Sequence, residues 1–195
     1  MSETENPETE IPEIEEFDFR PAWRRADPTI EADVRAFWNA MRLIPPLEIE
    51  RRIPELIAVA YVEGRLVAVS TAEFNMLPQL RARFAMYRCL VSPEYRRHHL
   101  SYRISAYSRE VLEQWSQENP AEKVVGMAAI IQAREYKQKQ QEAMWPEYGL
   151  NLNLIGYNNM GSQVRVAWFK HARVEEAQQF MRIAHTFDDN APPRR

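Results

Sequence analysis

The run Val124-Val-Gly-Met-Ala-Ala-Ile-Ile131 constrains this chain more than any other segment, because eight residues pass without a charge or a strong polar group. A strand with one wet face alternates. A strand without alternation is covered on both faces, which demands a sheet with helices packed on either side. The length of 195 residues allows one such domain with tails. With 45% hydrophobic residues there is material for a full core, and a wholly disordered chain is excluded.

The rest of the pattern supplies the partners of that strand. Phe17 to Ala26 is β-rich but holds Pro21, which places it at a sheet edge. Asp27-Pro28-Thr29 is a helix start, followed by Val34, Phe37, Trp38 and Met41 at helical spacing. Pro45-Pro46 ends that helix, and Leu47 to Arg52 is a second, short one. Glu55 to Glu63 and Arg65 to Asn75 make a hairpin turning at Glu63-Gly64, and Arg83 to Val91 extends it to a meander. Ile104, Tyr107, Val111, Leu112 and Trp115 define a helix over Ser101 to Gln117 that stops at Asn119-Pro120. After the apolar strand, Ala133 to Met144 is polar and helix-prone. Leu152 to Tyr157 and Val164 to Phe169 form a hairpin, and Val174 to Thr186 a last helix. The fold class expected is α/β (α+β): a mixed, mostly antiparallel central sheet flanked by helices.

The ends read differently. Met1 to Glu16 carries seven glutamates, two prolines and no basic residue, so residues 1–16 are expected to be an acidic disordered tail. Residues 191–195 are a second flexible tail, and 17–190 the single domain. Removing the seven tail glutamates from the net charge of −3 leaves the remainder at +4. One cysteine, Cys89, excludes an internal disulfide, and no apolar run approaches the roughly 18 residues of a spanning helix. The expectation is a soluble cytoplasmic protein with no membrane partner.

Chemistry concentrates in Arg88-Cys-Leu-Val-Ser-Pro-Glu-Tyr-Arg-Arg-His-His-Leu-Ser-Tyr-Arg-Ile104, where a strand runs through a basic loop into a helix. The first turn of a helix has unpaired amides and the positive end of its dipole, so it suits an anion. From Arg81 to Arg103 six arginines face one acid, Glu94. A phosphate-bearing ligand is the chemistry this invites. Nucleic acid is not expected, since the basic positions lack the aromatic interleaving of a single-strand groove. His98-His99 lacks metal-ligand spacing, so no metal is expected. As a mid-strand residue of an alternating run, Cys89 is expected to be a small packed side chain rather than a nucleophile.

Val91-x-Pro-Glu-Tyr-Arg-x-x-x-Leu-Ser resembles the acyl-CoA-binding motif of the GNAT superfamily of N-acetyltransferases, and the order of elements from Phe17 to Phe169 is similar to that fold. The resemblance implies an N-acyltransferase that moves an acyl group from acetyl-CoA or another acyl-CoA to a primary amine by direct attack. It implies that Cys89, Leu90 and Val91 offer backbone groups to the pantetheine arm. Arg96, Arg97, His98, His99, Leu100, Ser101 and Tyr102 would hold the pyrophosphate, and the thioester would lie in a wedge between Arg83–Val91 and Val124–Ile131. Two positions depart from the family pattern. His99 and Ser101 stand where small residues, usually glycine first, are found, so the histidine must accept a strained backbone or shift the loop.

The family's tyrosine, which protonates the leaving thiolate, falls at Trp145, with Tyr148 and Tyr136 as nearby substitutes; its asparagine falls at Gln138. Tyr148 is taken as the acid. A partly buried carboxylate suits the base, and Glu73 is taken for it, with Glu135 behind. Phe37, Trp38 and Met41 are either substrate-pocket or core residues. A non-catalytic acyl-CoA-binding or regulatory module on the same fold stays open. So do the acceptor, a small-molecule or peptide amine, and a homodimer paired through the C-terminal hairpin.

Overall fold

The computed structural model describes residues 16–132 and 139–174. The acidic leader up to residue 15, the polar stretch 133–138 with Glu135, Tyr136 and Gln138, the last expected helix beyond Val174, and the C-terminal tail lie outside the described residues.

Among the described residues eight strands form one sheet: β1 (Asp18–Pro21), β2 (Leu56–Val62), β3 (Arg65–Leu77), β4 (Ala82–Val91), β5 (Val124–Ile131), β6 (Met144–Trp145), β7 (Leu152–Tyr157) and β8 (Gln163–Trp168). Their order across the sheet is β1-β2-β3-β4-β5-β8-β7-β6. Every neighbouring pair is antiparallel except β4 and β5. Among the described residues three α-helices accompany it: α1 (Pro28–Met41), α2 (Pro46–Arg52) and α3 (Leu100–Glu118). This is the mixed, mostly antiparallel sheet flanked by helices that the patterning predicts. No helix among the described residues is long and apolar enough to cross a membrane.

Local chemistry explains the boundaries. Asp27 caps α1 by accepting from the amides of Thr29 (3.0 Å) and Ile30 (3.1 Å), with Pro28 in the first turn. The buried face of α1 is Ile30, Val34, Phe37 and Trp38, one stripe at helical spacing. Phe37 and Trp38 are therefore core, packed with Val59 and Val69 on one side of the sheet. Glu63 and Gly64 both have positive φ and turn β2 tightly into β3. β1 is shorter than its sequence pattern because the Ala22 and Trp23 amides converge on one carbonyl, that of Ile57 (2.7 and 3.1 Å), which ends the ladder just after Pro21. As expected, it is an edge strand.

On the opposite side of the sheet α3 packs across β2 to β5. Ser108 and Ser70 share a buried hydrogen bond at 2.8 Å, and Ser70 also donates to the Ala58 carbonyl. A polar pair inside an apolar layer favours one position of the helix along the sheet, since sliding it breaks this contact, although each hydroxyl keeps a backbone partner, Ser70 at Ala58 and Ser108 at the Ile104 carbonyl.

The described end of the stretch Ala133 to Met144, residues 139–144, departs from its helical propensity. It is a single 3-10 turn, Lys139–Gln141, followed by the two-residue strand β6. The cause is Arg165, fully buried in β8. Its guanidinium takes the carbonyls of Glu142 (2.6 Å), Leu152 (3.3 Å), Gln140 (3.4 Å) and Ala143 (3.5 Å). Carbonyls drawn to one cation cannot serve a helix ladder. Burial lowers the Arg165 pKa from its ordinary value.

β4 and β5 run side by side only from Arg83 and Val124 to Tyr87 and Ala129, although β4 continues to Val91 and β5 to Ile131. Gly126 of β5 sits closely between β4 and β8, where an added Cβ would lie 2.5 Å from the Ala167 carbonyl of β8 and 2.8 Å from the Phe84 ring of β4. Gly126→Ala should therefore cost about 1–3 kcal/mol or more of stability, read as a lower urea midpoint at unchanged slope.

Candidate functional site

The divergence of β4 from β5 opens a cleft of about 770 Å³ that passes through the sheet. Its two mouths differ because successive strand residues point to opposite faces. On the α3 side it is lined by Tyr87, Cys89, Ser101, Tyr102, Ser105 and Trp145, a wall of hydroxyls, one thiol and one indole. On the side of α1 and α2 it is lined by Leu43, Ile44, Arg52, Glu73, Met86 and Arg88.

The α3 mouth is built around the strand–loop–helix segment. After β4 the chain makes a 3-10 turn, Pro93–His98, then passes through His99 at φ 55, ψ 18 into the first turn of α3. His99 thus adopts the left-handed conformation that glycine takes at no steric cost, so the backbone course of a small-residue loop is kept with a histidine in it. The His99 carbonyl already accepts from the Tyr102 and Arg103 amides (3.0 and 3.1 Å), so α3 starts cleanly at Leu100. No side chain caps this start among the described residues, and its amides point where the dipole is positive. Arg96 is exposed beside it and His98 half-buried.

Cys89 is not packed. Its thiol opens into the cleft, because β5 has already turned away from the end of β4 where it stands. The surrounding protein still raises its pKa by burial, partly offset by hydrogen bonding from Tyr87 and Ser105. Tyr87 occupies the last paired rung, opposite Ala129. Its hydroxyl lies 2.9 Å from Ser105 Oγ, which also donates to the Ser101 carbonyl at 2.6 Å, and burial raises its pKa well above the usual phenol value. Ser105 has a single hydrogen, so with it on the Ser101 carbonyl the phenol's own hydrogen is shared between Ser105 Oγ and the cleft side at Cys89.

Trp145 is buried as a wall residue under the Arg165 guanidinium, 3.9 Å from the ring centre. Tyr148 stands outside the lining, about half exposed, with its ring stacked on Tyr102 at 6.2 Å between centroids. The phenols that line the cleft are Tyr87 and Tyr102.

Glu73 lies on β3, opposite Met86, at the other mouth. Arg88 Nη2 is 3.6 Å from it and Arg51 Nη1 3.7 Å, both looser than hydrogen bonds. Arg88 binds Glu55 more closely, at 2.7 Å. The six arginines of the basic stretch are therefore not one patch. Arg83 pairs with Glu122 at 2.7 Å and lies over the Phe74 ring, Arg88 joins the network around Glu55, and Arg103 lies over Phe17.

Sequence reasoning missed Arg52, Arg88, Tyr87 and Ser105 as cleft residues. For Tyr87 and Arg88 a signal existed: with Cys89 at the cleft, alternation along β4 points Tyr87 to the same mouth and Arg88 to the other. Phe37, Trp38 and Met41, considered for the pocket, are replaced there by Leu43 and Ile44.

No protein-family model and no curated protein matches the sequence. Solved structures do. The chain is similar to the loading GNATL domain of CurA from Lyngbya majuscula, 15% identical, covering 80% of this chain and 100% of that one at a TM-score of 0.50. It is also similar to the aminoglycoside 6'-N-acetyltransferase from Enterococcus faecium, 13% identical over 78% of this chain and 97% of that one, TM-score 0.45. A further one is the ribosomal-protein-S18-alanine N-acetyltransferase from Escherichia coli, 11% identical over 85% and 100%, TM-score 0.43. At such identities the likeness concerns the fold, which is that of the GNAT acyltransferases.

The left-handed histidine supplies a stability test. His99→Gly should stabilise the protein by about 1 kcal/mol, read by denaturant titration, because it removes the Cβ clash of that conformation.

Proposed function

We propose that the protein is an acyl-CoA-dependent N-acyltransferase. The observation that carries the reading is the cleft through the sheet, with a helix start and basic turn at one mouth and a carboxylate at the other. The diphosphate of the acyl-CoA rests on the turn Arg96–His99 and the first turn of α3, Leu100 to Tyr102. Its pantetheine arm runs along the free edge of β4 at Cys89, Leu90 and Val91, whose backbone has no partner strand on the β5 side after Tyr87. Arm and strand edge pair as a further strand would. The thioester then lies in the split.

An amine enters from the side of α1 and α2, and Glu73 holds its ammonium form and takes its proton. The free amine attacks the thioester carbonyl, the nitrogen–carbon bond forms, and the carbon–sulfur bond breaks to give an amide and the CoA thiolate. Tyr87, protonated across the working pH range, gives its hydrogen to that sulfur. Tyr148 serves through its stack on Tyr102, as a support of the wall.

One observation favours a second reading, a non-catalytic acyl-CoA-binding module: the position that resembles the family's tyrosine is Trp145, locked beneath Arg165. Both readings share the first test. CoA at a hundredfold excess over its Kd should raise the melting temperature by about 5–10 °C. Arg97→Glu, which reverses a charge at the turn, should abolish most of that rise. No shift at millimolar CoA would remove both readings.

Turnover separates them. Free thiol released from acetyl-CoA in the presence of pooled amines identifies the enzyme, and binding without release across the pool identifies the module. In the enzyme Tyr87→Phe should lower kcat about 10²-fold with KM for acetyl-CoA little changed, the split expected of an acid acting on the leaving group.

A further inference from the structure

We infer that the acceptor is a zwitterion of amino-acid size, an amine with a carboxylate close beside it, bound between Glu73 and Arg88. The inference rests on the acyltransferase reading and names the substrate class that it leaves open.

The charges at the acceptor mouth form one network. Three guanidinium groups, Arg51, Arg52 and Arg88, meet three carboxylates, Glu48, Glu55 and Glu73. The network is neutral as it stands. Among the described residues Glu73 is the one carboxylate lining the cleft, and Arg52 and Arg88 are the cations lining it. A ligand with excess charge of either sign unbalances the network in a partly enclosed space where charges are weakly screened. A polyamine sets several cations against one carboxylate and two guanidinium groups. A zwitterion keeps the balance.

The geometry selects the spacing of its charges. Glu73 and Arg88 occupy diagonal positions on neighbouring strands, and their closest atoms are 3.6 Å apart. That pair is too long for a hydrogen bond and opens at little cost. Inserting a zwitterion exchanges one loose contact for two charge-assisted ones, ammonium on Glu73 and carboxylate on Arg88. Receptors this close need donor and acceptor groups equally close on the ligand, as in an α-amino acid.

Spare donor capacity lies in the same place. Arg88 uses Nη2 for Glu55, while its Nε–H is buried with no hydrogen-bond partner among the described residues. The Nε–H of Arg52 is likewise buried and has only a loose ion pair, with Glu48 at 3.5 Å. Buried guanidinium hydrogens without acceptors are costly, and a ligand carboxylate supplies acceptors for them. Leu43, Ile44 and Met86 line the same mouth and leave an apolar path for the rest of the molecule.

The test compares the proteinogenic α-amino acids with their α-amides and with the corresponding decarboxylated amines, using the full chain. Two readouts are taken: the melting temperature with and without CoA, and thiol release from acetyl-CoA. At least one free amino acid should exceed its amide by about tenfold in kcat/KM, or in affinity by thermal shift where no turnover occurs. Arg88→Lys should raise KM for that amino acid about tenfold with kcat nearly unchanged, and leave KM for its amide as it was. Amides or decarboxylated amines equal to the amino acids overturn the inference, as does an unaltered amino-acid KM in Arg88→Lys. CoA binding with no preference for carboxylates sinks the acceptor class alone. A missing CoA shift removes the acyltransferase reading, and the amino-acid shift measured without CoA then decides the zwitterion site on its own.

Discussion

Everything in this molecule that resembles a reaction vessel depends on one parallel strand pair being short. β4 and β5 share a ladder for five rungs and then separate, and no other neighbours in the sheet are parallel. Parallel neighbours need a crossover, and here the crossover is the 3-10 turn and α3. The same geometry therefore makes the gap and delivers a helix start to its mouth. Gly126 holds the closed end of the wedge against Phe84 and β8, while α3, fixed by Ser70 and Ser108, holds the open end apart.

A buried cation secures the remaining wall. Arg165 has no carboxylate partner among the described residues. It spends its charge on backbone carbonyls from 140 to 152 and on the Trp145 face. Taking such a group out of water is costly, and only a full set of acceptors offsets that cost. The segment after β5 is therefore shaped by what Arg165 needs rather than by the helix propensity of its own residues. Trp145 stands where it does as part of that arrangement.

Much of the fold is legible in the sequence, because period, caps and turns are local. Asp27-Pro28, Glu63-Gly64 and Asn119-Pro120 each mark a boundary found in the structure, and the apolar run of β5 is buried from Val124 to Ala128, its end at Ile130 being exposed. Where the helical pattern of Ala133 to Met144 gives way among the described residues, at 139–144, the carbonyls are bound to a side chain more than twenty positions away. Cys89 fails for a related reason. Alternation tells which face a residue points to, but whether the neighbouring strand is still there is a property of β5. The mouth on the side of α1 and α2 is the least legible part, since Arg51 and Arg52 of α2, Glu55 of the 3-10 turn Ile53–Glu55, Glu73 of β3 and Arg88 of β4 come from four separate elements that the β2–β3–β4 register brings together.

The solitary thiol has a practical side. With a single sulfhydryl in the chain, and that one opening into the gap between the diverging strands, the fold supplies its own attachment point for a spectroscopic reporter. A fluorophore or spin label coupled there needs no engineered background. Its signal would register, from that one position on β4, how the gap fills and empties.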